Sequence, residues 1–340
     1  MTPTLVIPNL YQLVVPTPFA VGPVNVYLST GADEPLTLVD TGPCTDRARA
    51  ALEEGVSSLG YALSDIERII ITHAHVDHYG LAGEIARLSG ASVYSHPNNR
   101  PILEDHAENQ VQRRVFYEDL LVEAGVPREV RTTLNHVMRG FRRFASAVPS
   151  LHELVEGDAL MLTGHTWQVL FMPGHASGLV CLYQPETQVL LSNDHLLRDI
   201  SSNPFVEPPP PGQARRRRSL VDYIASLQRT AALDIAVAWP GHGEPIHDHR
   251  ALIESRLAFH HRRAEAILAA LQDGPCTAHA LSQVLFPGLN MVDYFLAISE
   301  VLAHLEWLEA QGGVTALGQN GLMLWRRETQ SAPRITFQDL

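Results

Sequence analysis

The sequence contains no lysine; all 25 of its basic residues are arginine. A Schiff base formed by the chain, or a lysine holding a phosphate, is therefore excluded. Cysteine is scarce as well. Cys44, Cys181 and Cys276 are odd in number and scattered, which fits reduced thiols and not a disulfide framework. None has the paired spacing of a thiolate metal site, so a metal here must be held by histidine and carboxylate. No run of about 18 apolar residues occurs, which excludes a membrane-spanning helix. The opening Met1-Thr2-Pro3-Thr4-Leu5 has neither the basic start nor the apolar stretch of a signal peptide, so the cytoplasm is the expected location. Positive charge is also in deficit. The net charge of −12 argues against broad affinity for nucleic-acid phosphates, and two divalent cations would not reverse it.

What is present is a 340-residue chain, 45% hydrophobic and 18% charged, with the composition of a globular protein and the length for more than one domain. Its densest chemistry is Thr72-His73-Ala74-His75-Val76-Asp77-His78, directly after the apolar burst Arg68-Ile-Ile-Ile-Thr72. That burst reads as a strand buried on both faces. Three imidazoles and a carboxylate within six residues suit a metal centre. His73 and His75 can reach one ion, while Asp77 and His78 must turn toward a second.

The chain before this loop reads as strands at residues 10–15, 24–29 and 36–40, then a helix over 46–59 stopped by Gly60. The third strand ends in Val39-Asp40-Thr41-Gly42, and a buried carboxylate there is placed to receive the free N–H of a metal-bound imidazole. The alternative is that Asp40 only caps the turn. His96, before Pro97, reads as structural. Residues 98–149 read as a two-helix insertion, of the kind that forms lids. Within it Arg113, Arg114 and Tyr117 are candidate substrate contacts, with a solvated helical face as the alternative.

Strands resume from residue 154 and deliver two further motifs. Pro173-Gly174-His175-Ala176-Ser177-Gly178 carries a histidine on a glycine-bounded loop, and Ser192-Asn193-Asp194-His195 places a carboxylate after an apolar strand. Four prolines and then Arg215–Arg218 mark an exposed loop, whose arginines are read as solvated or as a phosphate contact. A strand over 235–239 leads to Pro240-Gly241-His242-Gly243. Beyond it come a long helix over 249–271, two more helices, and a hairpin around Gly318-Gln319-Asn320-Gly321, which together suggest a small winged-helix-like module. The expected domains are 1–247, with 98–149 inserted, then 248–330 and a tail at 331–340.

An α/β architecture gathers strand-end loops at one edge, so these loops can converge. His73, His75 and His175 would then hold one ion, and Asp77, His78 and His242 the other, with Asp194 bridging. Two such ions lower the pKa of a bridging water and clamp the attacked and leaving oxygens. The implied chemistry is hydrolysis of an ester-like bond, with Asp77 and His195 as the candidate catalytic groups beyond simple ligation. Mixed histidine and aspartate ligation suits two zinc ions, with iron or manganese tolerated.

Those residues, His73-Ala74-His75-Val76-Asp77-His78, His175, Asp194 and His242, resemble the metal signature of the metallo-β-lactamase-fold hydrolases, and Val39-Asp40-Thr41-Gly42 resembles that superfamily's early aspartate motif. The resemblance spans about residues 5 to 247 and implies an α/β fold, a four-layer αβ/βα sandwich with the metals at one edge. A bridging Asp194 is unlike the true β-lactamases, and His75 differs from the glutamate of the flavodiiron proteins. Glyoxalase II is similar in all metal ligands, but its glutathione site uses lysine, which is absent here. The order of catalytic domain, long helix and terminal module is most similar to the subgroup of the β-lactamase-like protein 2 relatives. Asn193 stands where many relatives have glycine.

The expected function is hydrolysis of a small-molecule ester, thioester or lactone. The alternatives are a phosphodiesterase or ribonuclease acting on nucleic acid, which the net acidity disfavours, and a metal-sensing DNA-binding regulator. No membrane partner is expected, and a homodimer is compatible with the sequence.

Overall fold

The computed structural model describes residues 2–328; the expected tail at 331–340 lies outside the described residues, as do the last two positions of the expected terminal domain. The described residues fall into two compact units. One is built from the residues up to Asn109, Phe141–Ser202 and Leu233–His249, the other from Gln110–Gly140, Asn203–Ala232 and the residues from Arg250 onward.

The first unit holds two sheets. The larger runs in chain order through β1 (Thr4–Ile7), β2 (Leu10–Val15), β3 (Val24–Ser29), β4 (Thr37–Val39), β5 (Arg68–Ile71), β6 (Ser92–Ser95) and β7 (His152–Glu153). Its first four strands pair antiparallel and its last four parallel. The second contains β8 (Ala159–Leu162), β9 (His165–Phe171), β10 (Val180–Gln184), β11 (Val189–Asn193) and β12 (Val237–Pro240), with β11 and β12 parallel.

Strand β5 shows why the isoleucine run is there. Side chains alternate across a strand, and Ile69 and Ile71 enter one apolar core while Ile70 enters another. The first core packs the large sheet against helices Asp46–Ser58 and Ala82–Ser89, through Leu52, Val56 and Ile85. The second unites Tyr27, Val39 and Ile70 with Trp167, Val180, Leu191 and Trp239 of the other sheet. A parallel strand covered on both faces has no polar side to alternate with, hence the continuous run. Thr45 caps the first helix by accepting from the Ala48 N–H at 3.1 Å. The α/β sandwich architecture expected from the sequence is present.

The change of unit between His249 and Arg250 falls next to the expected boundary at 247, but the units share out the earlier chain differently from the expected domains. Helices Ala107–Glu123 and Arg128–Phe141 form, but residues 110–140 belong to the second unit, not to an appendage of the first. Arg131 ties the two helices together through Glu118 at 2.9 Å, and the turn between them docks on the start of helix Ala278–Leu285. There His279 N donates to Ala124 O at 2.9 Å, and a Cβ on Gly125 would lie 2.9 Å from the Thr277 side chain.

Residues 203–232 join the same unit, including the arginine run. Arg216 makes paired hydrogen bonds with Glu306, Arg217 reaches Asp222 at 2.6 Å and Arg218 reaches Glu309 at 2.6 Å. Three of the four arginines thus find acidic partners, while Arg215 and Arg218 remain exposed. Helix Met291–Ala310 is followed by β14 (Val314–Gln319) and β15 (Leu322–Arg327), which with β13 (Cys276–Thr277) make a third sheet in the order β13-β15-β14. The hairpin turns on Asn320-Gly321, both with positive φ, the two-residue turn whose twist matches its strands. The three cysteines are free, and no described helix is long and apolar enough to cross a membrane.

Candidate metal centre

All the candidate ligands arise where strands of the first unit end. After β5 the chain stays extended through His75, so His73 and His75, two apart, project to one side. A single helical turn, Val76–Tyr79, then starts, with His78 N donating to His75 O at 2.9 Å. That change of period separates Asp77 and His78 from the first pair. His175 lies in the connection between β9 and β10, Asp194 follows β11, and His242 follows β12.

Asp194 is aimed by two local irregularities. The pairing of β11 with β12 shifts between Leu191 and Asn193, and Asn193 has a φ of 46°. Asparagine is among the few residues that enter this left-handed region at low cost.

Three overlapping groups of donor atoms result: His73, His75 and His175; His73, His78 and Asp194; Asp77, His78 and His242. His75 Nδ1 lies 3.0 Å from both His73 Nε2 and His175 Nε2. Asp194 Oδ2 is 3.5 Å from His175 Nε2 and 3.7 Å from His242 Nε2, while its Oδ1 is 3.4 Å from His78 Nε2. His242 Nε2 is 3.5 Å from the Asp77 carboxylate. Donors around one tetrahedral zinc, at its usual bond lengths, stand about 3.3 Å apart. The structure brings all seven expected ligands together, and Asp194 forms a third group with His73 and His78 between the other two.

The opposite edges of the rings are fixed. Thr72 Oγ1 donates to Asp40 Oδ2 at 2.8 Å, which leaves its oxygen to accept from His73 Nδ1 at 3.1 Å. His78 Nδ1 donates to the same Asp40 oxygen at 2.7 Å, and His242 Nδ1 to Pro23 O at 2.7 Å. Each of these rings must then present Nε2 to the cluster. Asp40 itself is wholly buried, takes a φ of 60°, and also accepts from Thr72 N at 2.9 Å. It is more than a turn cap.

The residues fit a pair of cations. His78 Nε2, His242 Nε2 and Asp194 Oδ1 are buried polar atoms with no hydrogen-bond partner, all three directed into the cluster. Such atoms are costly to leave unmatched. The charges agree. Burial would raise the Asp77 carboxyl, but His78 and His242 hold it down at about 2. Burial likewise opposes ionisation of Asp194, and His78 and His242 overcome it, keeping the acid well below its usual range. Burial lowers His78 and His242, but the surrounding carboxylates raise both. On the other side, burial and neighbouring imidazoles drive His73 down, and burial brings His75 to about 4. Without a cation, the aspartates can be balanced only by charged histidines; divalent ions would balance them and free the ring nitrogens to bind.

The remaining candidates are placed as follows. His195 is wholly buried, next in sequence to Asp194, and belongs to none of the three donor groups. Arg113, Arg114 and Tyr117 lie in the second unit. Burial pushes the Tyr117 hydroxyl up to about 12, against a hydrogen bond to Arg113, and its ring packs edge-on to Phe295. His96 stacks on Phe171 with centroids 4.1 Å apart and is not a ligand. Thr72, Pro23 and Gly241 were not singled out by the sequence. Gly241 matters because a Cβ there would lie 2.2 Å from Asp194 Oδ1 and 2.8 Å from His78 Cε1.

Comparison with known proteins accords with this geometry. The family described as the metallo-beta-lactamase superfamily matches residues 20–242, and the metallo-beta-lactamase-like C-terminal domain matches 264–328. The probable metallo-hydrolase YqjP of Bacillus subtilis (strain 168) is 37% identical over 315 residues, covering 92% of this chain and 96% of that one. An atrochrysone carboxyl ACP thioesterase of Aspergillus fumigatus is 24% identical over 259 residues, covering 73% of this chain and 60% of its own length. A solved metallo-beta-lactamase family protein from Thermus thermophilus superposes with a TM-score of 0.81 at 35% identity, covering 95% of this chain and all of that one.

Proposed function

Since this chain belongs to the metallo-beta-lactamase superfamily and is a metallo-hydrolase, we propose that it cleaves small-molecule esters, thioesters or lactones with two divalent ions, zinc being the metal best suited to the donors. The observation that carries this reading is the place of Asp194, whose carboxylate oxygens lie 3.4 Å from His78 Nε2, 3.5 Å from His175 Nε2 and 3.7 Å from His242 Nε2. When bound, the ions supply Lewis acidity to a carbonyl oxygen and lower the pKa of a nearby water.

The chain's own residues do the rest. Asp40 and Thr72 keep Nε2 of His73 and His78 as donors, and Pro23 O does so for His242. Asp77, 3.5 Å from His242 Nε2 in the same donor group, would serve to hold and orient the ion there. His195, enclosed beside Asp194, is given no step. A thioester among the substrates is supported by the name of the fungal relative, of which this chain spans 60%. Action on nucleic acid finds less support, because Arg216, Arg217 and Arg218 already face Glu306, Asp222 and Glu309.

The test is a hydrolysis panel on metal-counted protein: an acyl thioester, a lactone, a chromogenic phosphodiester and single-stranded RNA. Turnover of the carbonyl substrates is expected. Cleavage of the phosphodiester or RNA alone overturns the substrate class.

A further inference from the structure

Two asparagines outside the ligand set grip the backbones of two ligand loops. Asn25 sits in the middle of β3, 2% exposed, in a strand otherwise made almost wholly of apolar residues. Its backbone N donates to Gly241 O at 2.7 Å, and its Nδ2 donates to Pro240 O and Gly243 O, both at 2.9 Å. Tyr27, two residues along the same face, adds its hydroxyl to Pro240 O at 2.7 Å. The carbonyls on both sides of His242 are therefore referenced to one strand, and that strand is preceded by Pro23, whose carbonyl receives the His242 ring.

Asn99 plays the corresponding part for the other position. It is 2% exposed, and its Nδ2 donates to Gly178 O and to Ser95 Oγ, both at 2.8 Å. Ser95 Oγ in turn donates to Ile71 O at 2.7 Å, one residue before the segment that bears His73 and His75. Asn98 Nδ2 adds a bond to Ser177 O at 2.8 Å, and the His96 ring lies on Phe171 at the other end of the His175 connection. The fit is close: a Cβ on Gly178 would lie 2.2 Å from Asn99 Oδ1. His175 and the His73–His75 segment thus share one anchor.

Neither asparagine belongs to a donor group. We propose that they are positioning residues that set the two metal affinities separately, Asn25 for the Asp77–His78–His242 position and Asn99 for the His73–His75–His175 position. Groups that orient ligands without touching the metal govern affinity by about 10–100-fold. A carbonyl left without its donor also lets the loop shift to seek another partner. The two anchors lie on different elements, Asn25 on β3 and Asn99 in the turn Pro97–Asn99 after β6, and hold different loops, so their effects are separable.

The inference rests on the two-ion reading. The experiment uses the full chain, titrated with zinc against a competing chelator, with the occupancy of each position at limiting zinc read by anomalous diffraction. Asn25→Ala is expected to weaken zinc at the Asp77–His78–His242 position by about 10–100-fold and to spare the other; Asn99→Ala does the reverse. Should either alanine variant fail to fold, Tyr27→Phe and Ser95→Ala each remove one hydroxyl of the same anchors and are expected to give the same selectivity at several-fold. Melting of the metal-free proteins supplies the second readout. A merely structural role lowers the metal-free melting temperature and leaves the two affinities in the wild-type ratio, and that result overturns the inference. So does a variant that weakens both positions alike or neither. Wild-type protein that takes up one ion overturns the two-ion reading and the inference with it, whereas two ions with unselective variants overturn the inference alone.

Discussion

Gly241→Ala is the sharpest perturbation of the centre that leaves every ligand in place. The added Cβ would lie 2.2 Å from Asp194 Oδ1, 2.8 Å from His78 Cε1 and 3.3 Å from the Asn193 carbonyl carbon. Non-bonded heavy atoms rest about 3.5 Å apart, so the carboxylate must retreat by about 1 Å. Asp194 cannot do this freely, because it stands between both donor groups and its backbone carbonyl is held by Ser202. Overpacking costs about 1–3 kcal/mol of stability, and a 1 Å misplacement at a reacting centre costs about 10²-fold in rate. Gly243→Ala is the matched control. Its φ is 75°, so a side chain there meets backbone strain of about 1–2 kcal/mol, but its Cβ would come no nearer than 3.5 Å to Asp199. Metal content after dialysis against a weak chelator, together with thioester turnover, distinguishes the two. Gly241→Ala is expected to lose metal and about two orders of magnitude in rate, while Gly243→Ala loses thermal stability and retains its metal. Wild-type metal content and rate in Gly241→Ala would refute the placement of Asp194.

Asp40→Asn retains the left-handed backbone but removes the charge shared by His78 and Thr72, and is expected to weaken zinc about 10–100-fold in a chelator competition; unchanged affinity would reduce Asp40 to a turn residue. In the second unit, His304 Nδ1 donates to Glu300 O at 2.7 Å, so its Nε2 must accept from His260 Nδ1 at 3.2 Å. Burial, with Arg263 nearby, brings wholly buried His304 down to about 4. Its unfolded form takes up a proton first as pH falls below about 6.5, so stability is full above that value and falls by about 1.4 kcal/mol per pH unit toward 4. The stability lost between pH 7 and pH 5 in urea unfolding should be smaller by about 2 kcal/mol in His304→Gln than in wild type, and an equal loss in both would contradict the assignment. Arg216→Ala strands Glu306, only 8% exposed, and is expected to cost about 3 kcal/mol, whereas the exposed Arg215→Ala should cost little; equal melting temperatures would show that the Arg216–Glu306 contact is not an ion pair that matters.

The ligand loops were legible because each combines an apolar strand with a polar, glycine-bounded end, a pattern short enough to survive without tertiary context. Asp40 was legible for the same reason: a carboxylate closing a buried strand demands a partner. Asn25 was not, although an asparagine between Val24 and Val26 raises the same question. Its answer, the carbonyls of residues 240–243, lies 215 or more positions away. The interleaving of the two units was hidden for a related reason. Two helices were expected within residues 98–149, and Ala107–Glu123 and Arg128–Phe141 are there, but what they pack on is decided by the contact of Gly125 with Thr277, which no local pattern carries. The arginine run was legible in part: Arg215 and Arg218 are exposed, as four like charges in a row suggest, but Arg216, Arg217 and Arg218 also find acids on helices Ser219–Ala231 and Met291–Ala310.

The central claim is that hydrolysis depends on a centre built from both donor groups. Thioester turnover, measured on protein of known zinc content, tests it most directly in wild type and in the double variant His73→Ala with Asp194→Ala. The account predicts turnover that rises as zinc is restored to two ions per chain, and none in the double variant at any zinc concentration. Hydrolysis retained by the double variant would contradict it.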